Sequence, residues 1–377
     1  MAFAFPTAET QNSRAEKRSH MIAASPLTRQ PDARQGDDPP DTSVLQPLGW
    51  QAEFAAAVTD PAELAALLDL PVDWVAPARE AAQAFPLRVP RSFIARMRRG
   101  DPADPLLRQV LPVAEELADA SGRSSDPLQE SAARRAAGLL HKYHGRALLV
   151  ATGACAMHCR YCFRREFPYD AQQGDTGRWQ DALATLAADP SIEELILSGG
   201  DPLSLGNARL QSLSRALAGI PHLRSLRLHT RNAVVLPSRV DAGLVEWLKD
   251  LPWRVTVVLH VNHAQELEGD AVEAIARLRG TGALLLNQSV LLRGVNDDAA
   301  TLAALSTRLH ALGVLPYYLH LTDAVNGTAH FDVDDARGRQ IVDALARRLP
   351  GYLVPRLVRE VPGASAKVVL ASGIDKD

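Results

Sequence analysis

Three cysteines fall within eight residues, Cys155-Ala-Met-His-Cys159-Arg-Tyr-Cys162, and the chain has no others. Their x3 and x2 spacing can supply three thiolates to a [4Fe–4S] cluster while leaving the fourth iron open to a substrate or cofactor. An open iron means chemistry and not electron storage alone. Structural zinc is one alternative, but it wants four N or S ligands; His158 is a fourth only in name, since it directly precedes Cys159. A disulfide would leave one thiol over, and nothing marks the chain as secreted.

Lysine supplies the second chemical clue. Only five of the 41 basic residues are lysines, at positions 17, 142, 249, 367 and 376. Where a positive charge would suffice the chain uses arginine, so its internal lysines need a reason. Lys249, in Trp247-Leu-Lys-Asp, reads as a solvated helix residue. Lys367 follows the small-residue loop Pro362-Gly-Ala-Ser-Ala, which leaves room for a ring and a phosphate and suits covalent attachment of pyridoxal phosphate. An exposed loop lysine is the plain alternative.

The elements that must hold these residues are legible as a rhythm. Short β-rich apolar runs at 147–152, 194–197, 226–229, 255–261, 284–290 and 315–321 alternate with helical stretches at 179–188, 209–218, 241–248, 270–279 and 299–312. Six strand-helix units predict an α/β fold, a parallel barrel or partial barrel, with a doubly wound open sheet as runner-up. Function in either lies at the C-terminal ends of the strands. The polar signals sit there: the cysteine loop, Ser198-Gly-Gly-Asp-Pro202, His229-Thr-Arg231, His260, Asn287-Gln288-Ser289 and Asp323.

Each signal also has a structural explanation. Ser198-Gly199-Gly200-Asp201 suits an ordinary strand-to-helix turn, with glycine at positive φ and Asp as a cap; beside an open cluster the paired glycines instead let a backbone edge approach an amino-acid-like ligand. His260 and Gln288 could be satisfied core polars. Asn296-Asp297 reads as a turn and cap and not as a catalytic carboxylate.

Residues 1–45 are rich in Pro, Asp, Arg, Gln and Ser, show no apolar period and read as a disordered tail, with Met21 a second candidate start. From 46 to 140, Phe54, Val58, Leu64, Leu67 and Leu68 recur at helical spacing between prolines, which predicts a small helical region without chemistry of its own. Residues 141–377 then carry the barrel and the Lys367 segment. At 377 residues and 46% hydrophobic, the chain can bury one large core plus an appendage. A net charge of −3 and a pI near 6.4 give no footprint for nucleic acid. No apolar run reaches the length of a membrane span, and Met1-Ala-Phe-Ala-Phe is too short for a signal peptide core. The cytoplasm is the expected compartment, and an oxygen-sensitive cluster would agree with it.

With these residues in view the chain resembles the radical S-adenosylmethionine (SAM) lysine 2,3-aminomutases. The resemblance lies in the cysteine motif together with Cys162-Phe-Arg-Arg165, Leu197-Ser-Gly-Gly-Asp201, Asn287-Gln-Ser-Val-Leu-Leu292, Pro316-Tyr-Tyr318 and Pro362-Gly-x3-Lys367. Within that family it is most similar to the elongation factor P (EF-P) β-lysylation branch, through 87–94, 104–110, 139–146 and 351–355. It spans roughly residues 50–370.

The resemblance implies a partial (β/α)6 TIM-like barrel and conversion of L-lysine to β-lysine, an isomerase reaction serving EF-P modification. It implies that Cys155, Cys159 and Cys162 hold the cluster and that Ser198, Gly199, Gly200, Asp201, His260 and Gln288 contact SAM. It further implies that Lys367 binds pyridoxal phosphate, with Lys142, Tyr143 and Arg146 on the phosphate. Arg164 would take the substrate carboxylate, and Asp323 and Glu360 its distal ammonium. The implied partners are a reductant such as flavodoxin or ferredoxin, EF-P and its lysyl-transferring ligase. Two residues depart from the family pattern: Lys142, where Arg is frequent, and Glu360, where Asp is usual. Free-lysine enzymes of the family tend to continue into a cysteine-bearing zinc segment, whereas this sequence ends ten residues after Lys367, which favours the EF-P branch. A different amino acid substrate, a different use for β-lysine and a non-catalytic iron–sulfur protein are the alternatives.

Overall fold

The computed structural model describes residues 49–169 and 178–370, so the expected tail over 1–45 lies outside it. The sheet is built from β1 (Arg134–Ala136), β2 (Leu139–Tyr143), β3 (Arg146–Thr152), β4 (Glu194–Gly199), β5 (Ser225–Thr230), β6 (Arg254–His260), β7 (Leu284–Val290), β8 (Leu315–His320), β9 (Arg356–Arg359) and β10 (Val368–Val369). They pair in chain order. β3 to β9 are parallel, and β1, β2 and β10 run antiparallel at the two ends. Among the described residues no pairing joins β1 to β10, so the barrel is partial. The expected six parallel strands are β3 to β8; the structure adds β9 and the antiparallel flanks.

Four short helices precede the sheet: α1 (Trp50–Ala55), α2 (Pro61–Leu67), α3 (Val75–Ala84) and α4 (Arg91–Ile94). Their apolar cluster, which includes Leu64, Val89 and Phe93, is closed by Ala156 and Met157 of the cysteine loop and by Val235 and Leu236 after β5. That contact makes the helical region a wall behind the chemistry. Crossovers are made by α5 (Arg178–Ala188), α6 (Asn207–Leu217), α7 (Asn232–Val235), α8 (Ala242–Asp250), α9 (Asp270–Arg279), α10 (Ala299–Ala311) and α11 (Asp335–Ala346). Helix starts follow the chemistry of the orphan N–H groups. Asp241 caps α8 through Leu244 N, Asp298 caps α10 through Ala300 N and Thr301 N, and Asp334 caps α11 through Arg337 N. α9 buries Ala271, Ala274, Ile275 and Leu278, one stripe at helical period.

Alternation along the strands decides what faces the site. On β4, Leu195 and Leu197 pack into the helix-side core while Glu194, Ile196 and Ser198 line the cavity. On β5, Leu226 and Leu228 face the helices, whereas Arg227 and His229 face the cavity. Gln288 on β7 and Tyr318 and His320 on β8 follow the same rule. The period of two thus assigns each strand one apolar face to bury and one polar face to present. Burying each leucine on the helix side contributes about 2 kcal/mol. Among the described residues, no helix is long and apolar enough to cross a membrane.

Candidate active site

The inward faces enclose one cavity of about 1300 Å3 lined by residues of every strand from β2 to β10. Pockets for one small ligand are roughly 300–1,000 Å3, so this volume suits more than one. All three cysteines line it, as do Lys367, Arg164, Asp323 and Glu360 and all the residues implied for cofactor binding.

The cysteine loop leaves β3 and is zipped to the loop after β4. Gly200 N donates to Thr152 O at 2.7 Å and Asp201 N to Ala154 O at 2.8 Å. A Cβ on Gly199, which has φ of 122°, would stand 2.4 Å from Thr152 O, and one on Gly200 would stand 2.4 Å from Ala154 O. The paired glycines are therefore required by the neighbouring loop itself. Asp201 is engaged by Leu203 N, Thr230 Oγ1, Arg231 N and Asn232 N. It is a clamp on the start of the short turn Pro202–Ser204 and on the loop after β5, which fulfils the capping explanation of that motif. Burial raises its pKa against these four donors.

Behind the cysteines lies a buried ion network. Arg160 donates to Glu116 through Nε at 2.8 Å and Nη2 at 2.5 Å, and to Phe85 O at 2.7 Å; Arg165 reaches the same carboxylate at 2.8 Å. Glu116, from the helical region, thus holds the loop from outside. His158 is spent on Pro86 O, 2.9 Å from Nδ1, with its ring stacked on Phe85. Among the described residues, no three His, Cys, Asp or Glu side chains are gathered around a single ion; a cluster with one iron per sulfur needs a wider triangle. Burial, then the neighbouring charges of Asp201, Cys162 and Cys159, lifts the Cys155 thiol well above its usual range. Burial and Cys159 push Cys162 up to about 11. Sulfurs that burden one another's ionisation fit a centre of several metal cations, which takes thiolates and removes that cost.

On the other side of the cavity charges alternate in a ladder. Arg164 donates to both oxygens of Glu130, Nε at 2.7 Å and Nη2 at 2.8 Å, while Nη1 reaches Ser198 Oγ at 3.2 Å and Gly199 O at 3.3 Å. Lys142 Nζ lies 3.3 Å from Glu130 Oε1 and 3.0 Å from Glu360 Oε1. Glu360 in turn accepts from Lys367. Burial opposes ionisation of Glu360, but Lys367 and Lys142 bring its pKa down to about 2. Asp323 stands outside this pairing: burial first, then the charge of Glu360, raises its carboxyl to about 7. The two acids expected at one ammonium are thus in different states, Glu360 neutralised by lysines and Asp323 awaiting a cation.

Lys367 Nζ lies 6.0 Å from the centroid of the Tyr318 ring. Arg146 stacks over Tyr143 at 4.7 Å and its nearest acceptor is His144 O at 3.4 Å, so its guanidinium is left for an anion. An amine beside an aromatic wall, with a cation not committed to a carboxylate, fits a phosphorylated aromatic aldehyde.

Three histidines on β5, β6 and β8 form the floor. Burial, followed by nearby cations, drives His260 and His320 down to about 3 and His229 well below its usual value. All three are neutral. His260 Nε2 pairs with Gln288 Nε2, which is the core-polar explanation, while Nε2 of His229 and of His320 are buried without partners. Orphaned neutral nitrogens aimed into a cavity beside the cysteines suit a polar, nucleoside-like ligand. Sequence reasoning missed Glu130, Glu116, His320 and Tyr169, whose hydroxyl donates to Gly199 O at 3.0 Å. A buried arginine needs a carboxylate, but nothing in the sequence says which one.

A family model described as "4Fe-4S single cluster domain" matches residues 144–220. The chain is also similar along most of its length to curated proteins named L-lysine 2,3-aminomutase. That of Escherichia coli (strain K12) is 49% identical over 322 residues, 85% of this chain and 94% of its own. That of Haemophilus influenzae is 43% identical over 88% of this chain and 98% of its own. The protein of Buchnera aphidicola subsp. Baizongia pistaciae is 40% identical over 85% and 95%.

Proposed function

Because the chain belongs to the radical SAM lysine 2,3-aminomutase family, we propose that it moves the α-amino group of L-lysine to C3 to give β-lysine. One observation carries the choice of substrate: Arg164 and Asp323 line the same cavity as Lys367 and the three cysteines. A guanidinium reads a carboxylate, and a buried carboxyl lifted to about 7 is stabilised by an ammonium. An amino acid with a neutral or acidic tail would leave Asp323 unpaired.

Cys155, Cys159 and Cys162 would hold the [4Fe–4S] cluster, His229, His260, Gln288 and the 198–201 loop would meet SAM, and Lys367 with Tyr143, Arg146 and Lys142 would hold pyridoxal phosphate. When bound, the cluster and SAM supply removal and return of a hydrogen atom, and pyridoxal phosphate supplies the π-system through which nitrogen migrates. The chain's own part is placement. Glu130 fixes the plane of the Arg164 guanidinium by two-point pairing, so the substrate carboxylate has one direction of approach. Glu360 receives the proton-bearing amine of Lys367 and keeps it over the cavity. The neutral histidines line the floor without adding charge near the reacting carbons. Glu116 and the two arginines it pairs close the outer side of the cysteine loop and exclude water.

We further infer that the electron comes from a flavodoxin or ferredoxin in the cytoplasm and that β-lysine is destined for EF-P through its lysyl-transferring ligase; the sequence resemblance supports this. The direct test is anaerobic incubation of reconstituted protein with L-lysine, SAM, pyridoxal phosphate and a reductant, followed by chiral separation of products. β-Lysine is the expected result. SAM cleavage without any β-amino acid would defeat the assignment. Loss of EF-P β-lysylation on deleting the gene tests the destination.

A further inference from the structure

Arg231 has no role in the account so far. It follows β5, is 7% exposed, and its guanidinium meets four partners. Nη1 donates to Cys159 Sγ at 2.9 Å and to the Tyr161 hydroxyl; Nη2 donates to Gln109 Oε1 at 2.7 Å and to Glu266 Oε2 at 3.0 Å. These partners are themselves fixed. Gln109 Nε2 donates to Glu266 Oε1 at 3.1 Å, and Asn262 Nδ2 donates to Gln109 Oε1 at 2.9 Å and to the Tyr161 hydroxyl at 2.6 Å. The Arg231 backbone N–H is held by Asp201 at 2.6 Å. Neutralising Glu266 would need only one edge of the guanidinium. The other edge points at a sulfur that the cluster requires.

We propose that Arg231 is a positioning residue for the iron–sulfur cluster that sets its reduction potential through the N–H···S hydrogen bond to Cys159. This rests on the cluster assignment above. Reduction adds negative charge to the unit of iron, sulfide and thiolate. A cation and an N–H directed at one thiolate stabilise the reduced form more than the oxidised form, so the potential rises. Burial strengthens the effect, because the local dielectric is low. Glu266 behind the guanidinium moderates it and, with Gln109, prevents Arg231 from swinging away. The same contact ties potential to fold, since Gln109 comes from the helical region and Glu266 from the turn after β6.

The test uses the full chain, reconstituted anaerobically as wild type, Arg231→Lys, Arg231→Gln and Tyr161→Phe, with no SAM, pyridoxal phosphate or lysine added. Iron and sulfide are counted, and the midpoint potential is read from the paramagnetic resonance signal of the reduced cluster. Arg231→Gln should shift the potential furthest to the negative side and Arg231→Lys less far. Tyr161→Phe keeps the cation and the N–H···S contact but loses a hydroxyl that also bonds the Cys159 sulfur, so its shift should be smaller than that of Arg231→Gln. Wild-type potentials in both Arg231 variants, or an equal shift in Tyr161→Phe, overturn the proposal. If Arg231→Gln takes up no iron, Arg231→Lys against Tyr161→Phe decides in the same way. A wild-type chain that takes up no cluster refutes the cluster assignment instead.

Discussion

Raising the pH from 6 to 8 should tighten lysine binding through Asp323. Its carboxyl sits at about 7, because burial first and Glu360 second outweigh the opposing Lys367 and Lys142. The folded value exceeds the ordinary 3.8, so the sign is that of a group that favours folding at low pH. Its contribution is present below the unfolded value and is lost as pH rises through about 7. The empty protein therefore carries a penalty above pH 7 of at most about 4 kcal/mol, the shift converted at about 1.4 kcal/mol per unit. A substrate ammonium removes that penalty. The ionised fraction of Asp323 goes from roughly one-tenth at pH 6 to roughly nine-tenths at pH 8, so KM for lysine should fall close to tenfold. The substrate's α-amino group brings its own pH dependence, which makes Asp323→Asn the necessary comparison. In that variant lysine KM should be high and lack the tenfold component, while SAM KM stays near the parent's. Thermal denaturation of the ligand-free proteins should show the Asn variant gaining on the parent between pH 5 and 8. An identical pH profile of lysine KM in both proteins, or an equal loss of SAM binding, would refute the account.

Glu116→Ala should strand Arg160 and Arg165 without their shared carboxylate. Removing one partner of a buried pair costs about 3–5 kcal/mol, so the variant should melt lower and retain less iron and sulfide; full cluster content at the wild-type melting temperature would speak against Glu116 as the brace. Lys367→Ala should abolish the borohydride-trapped pyridoxal adduct, and peptide mapping that finds the adduct at Lys142 or Lys249 would relocate the site. Lys142→Arg and Glu360→Asp should each lower pyridoxal phosphate retention, with the double variant recovering part of the loss. The coupling expected of contacting charges is about 0.5–3 kcal/mol, and strictly additive losses would show that the two positions act independently.

Most of the site-bearing sheet was legible because parallel strands buried by helices read as apolar runs, and polar residues at their ends stand out against them. Lysine scarcity was informative for the same reason: Lys142 and Lys367 line the cavity while Lys249 is exposed on α8. The turn expected at Asn296-Asp297 is there, with Asn296 Oδ1 accepting from Leu292 N and Asp297 from Gly294 N, although the cap of α10 is Asp298. What stayed hidden was carried by arginine. β9 reads Arg-Leu-Val-Arg and looks like a charged loop, yet it buries Leu357 and Val358. With so many arginines, composition cannot separate Arg160 and Arg231, buried at the cysteines, from those in solvent. Glu130 lies among turns before β1, where no period marks it, and only the contact with Arg164 across 34 residues gives it meaning.

Lys142 and Glu360 meet each other at 3.0 Å. A lysine presents one ammonium where an arginine would present a wide fork, so a partner that is to stay in contact needs more reach. Glutamate has one methylene more than aspartate, and its two oxygens go to different cations, Oε1 to Lys142 and Oε2 to Lys367. Glu360 is thus engaged by the two lysines, and its carboxyl is held at about 2 while that of Asp323 stays at about 7. In the proposed function, recognition of the cationic tail would then fall on Asp323, while Glu360 links the Arg164–Glu130–Lys142 end of the ladder to Lys367. Under the proposed function, lysine specificity would accordingly depend on one carboxylate that changes charge near neutrality, flanked by another that does not.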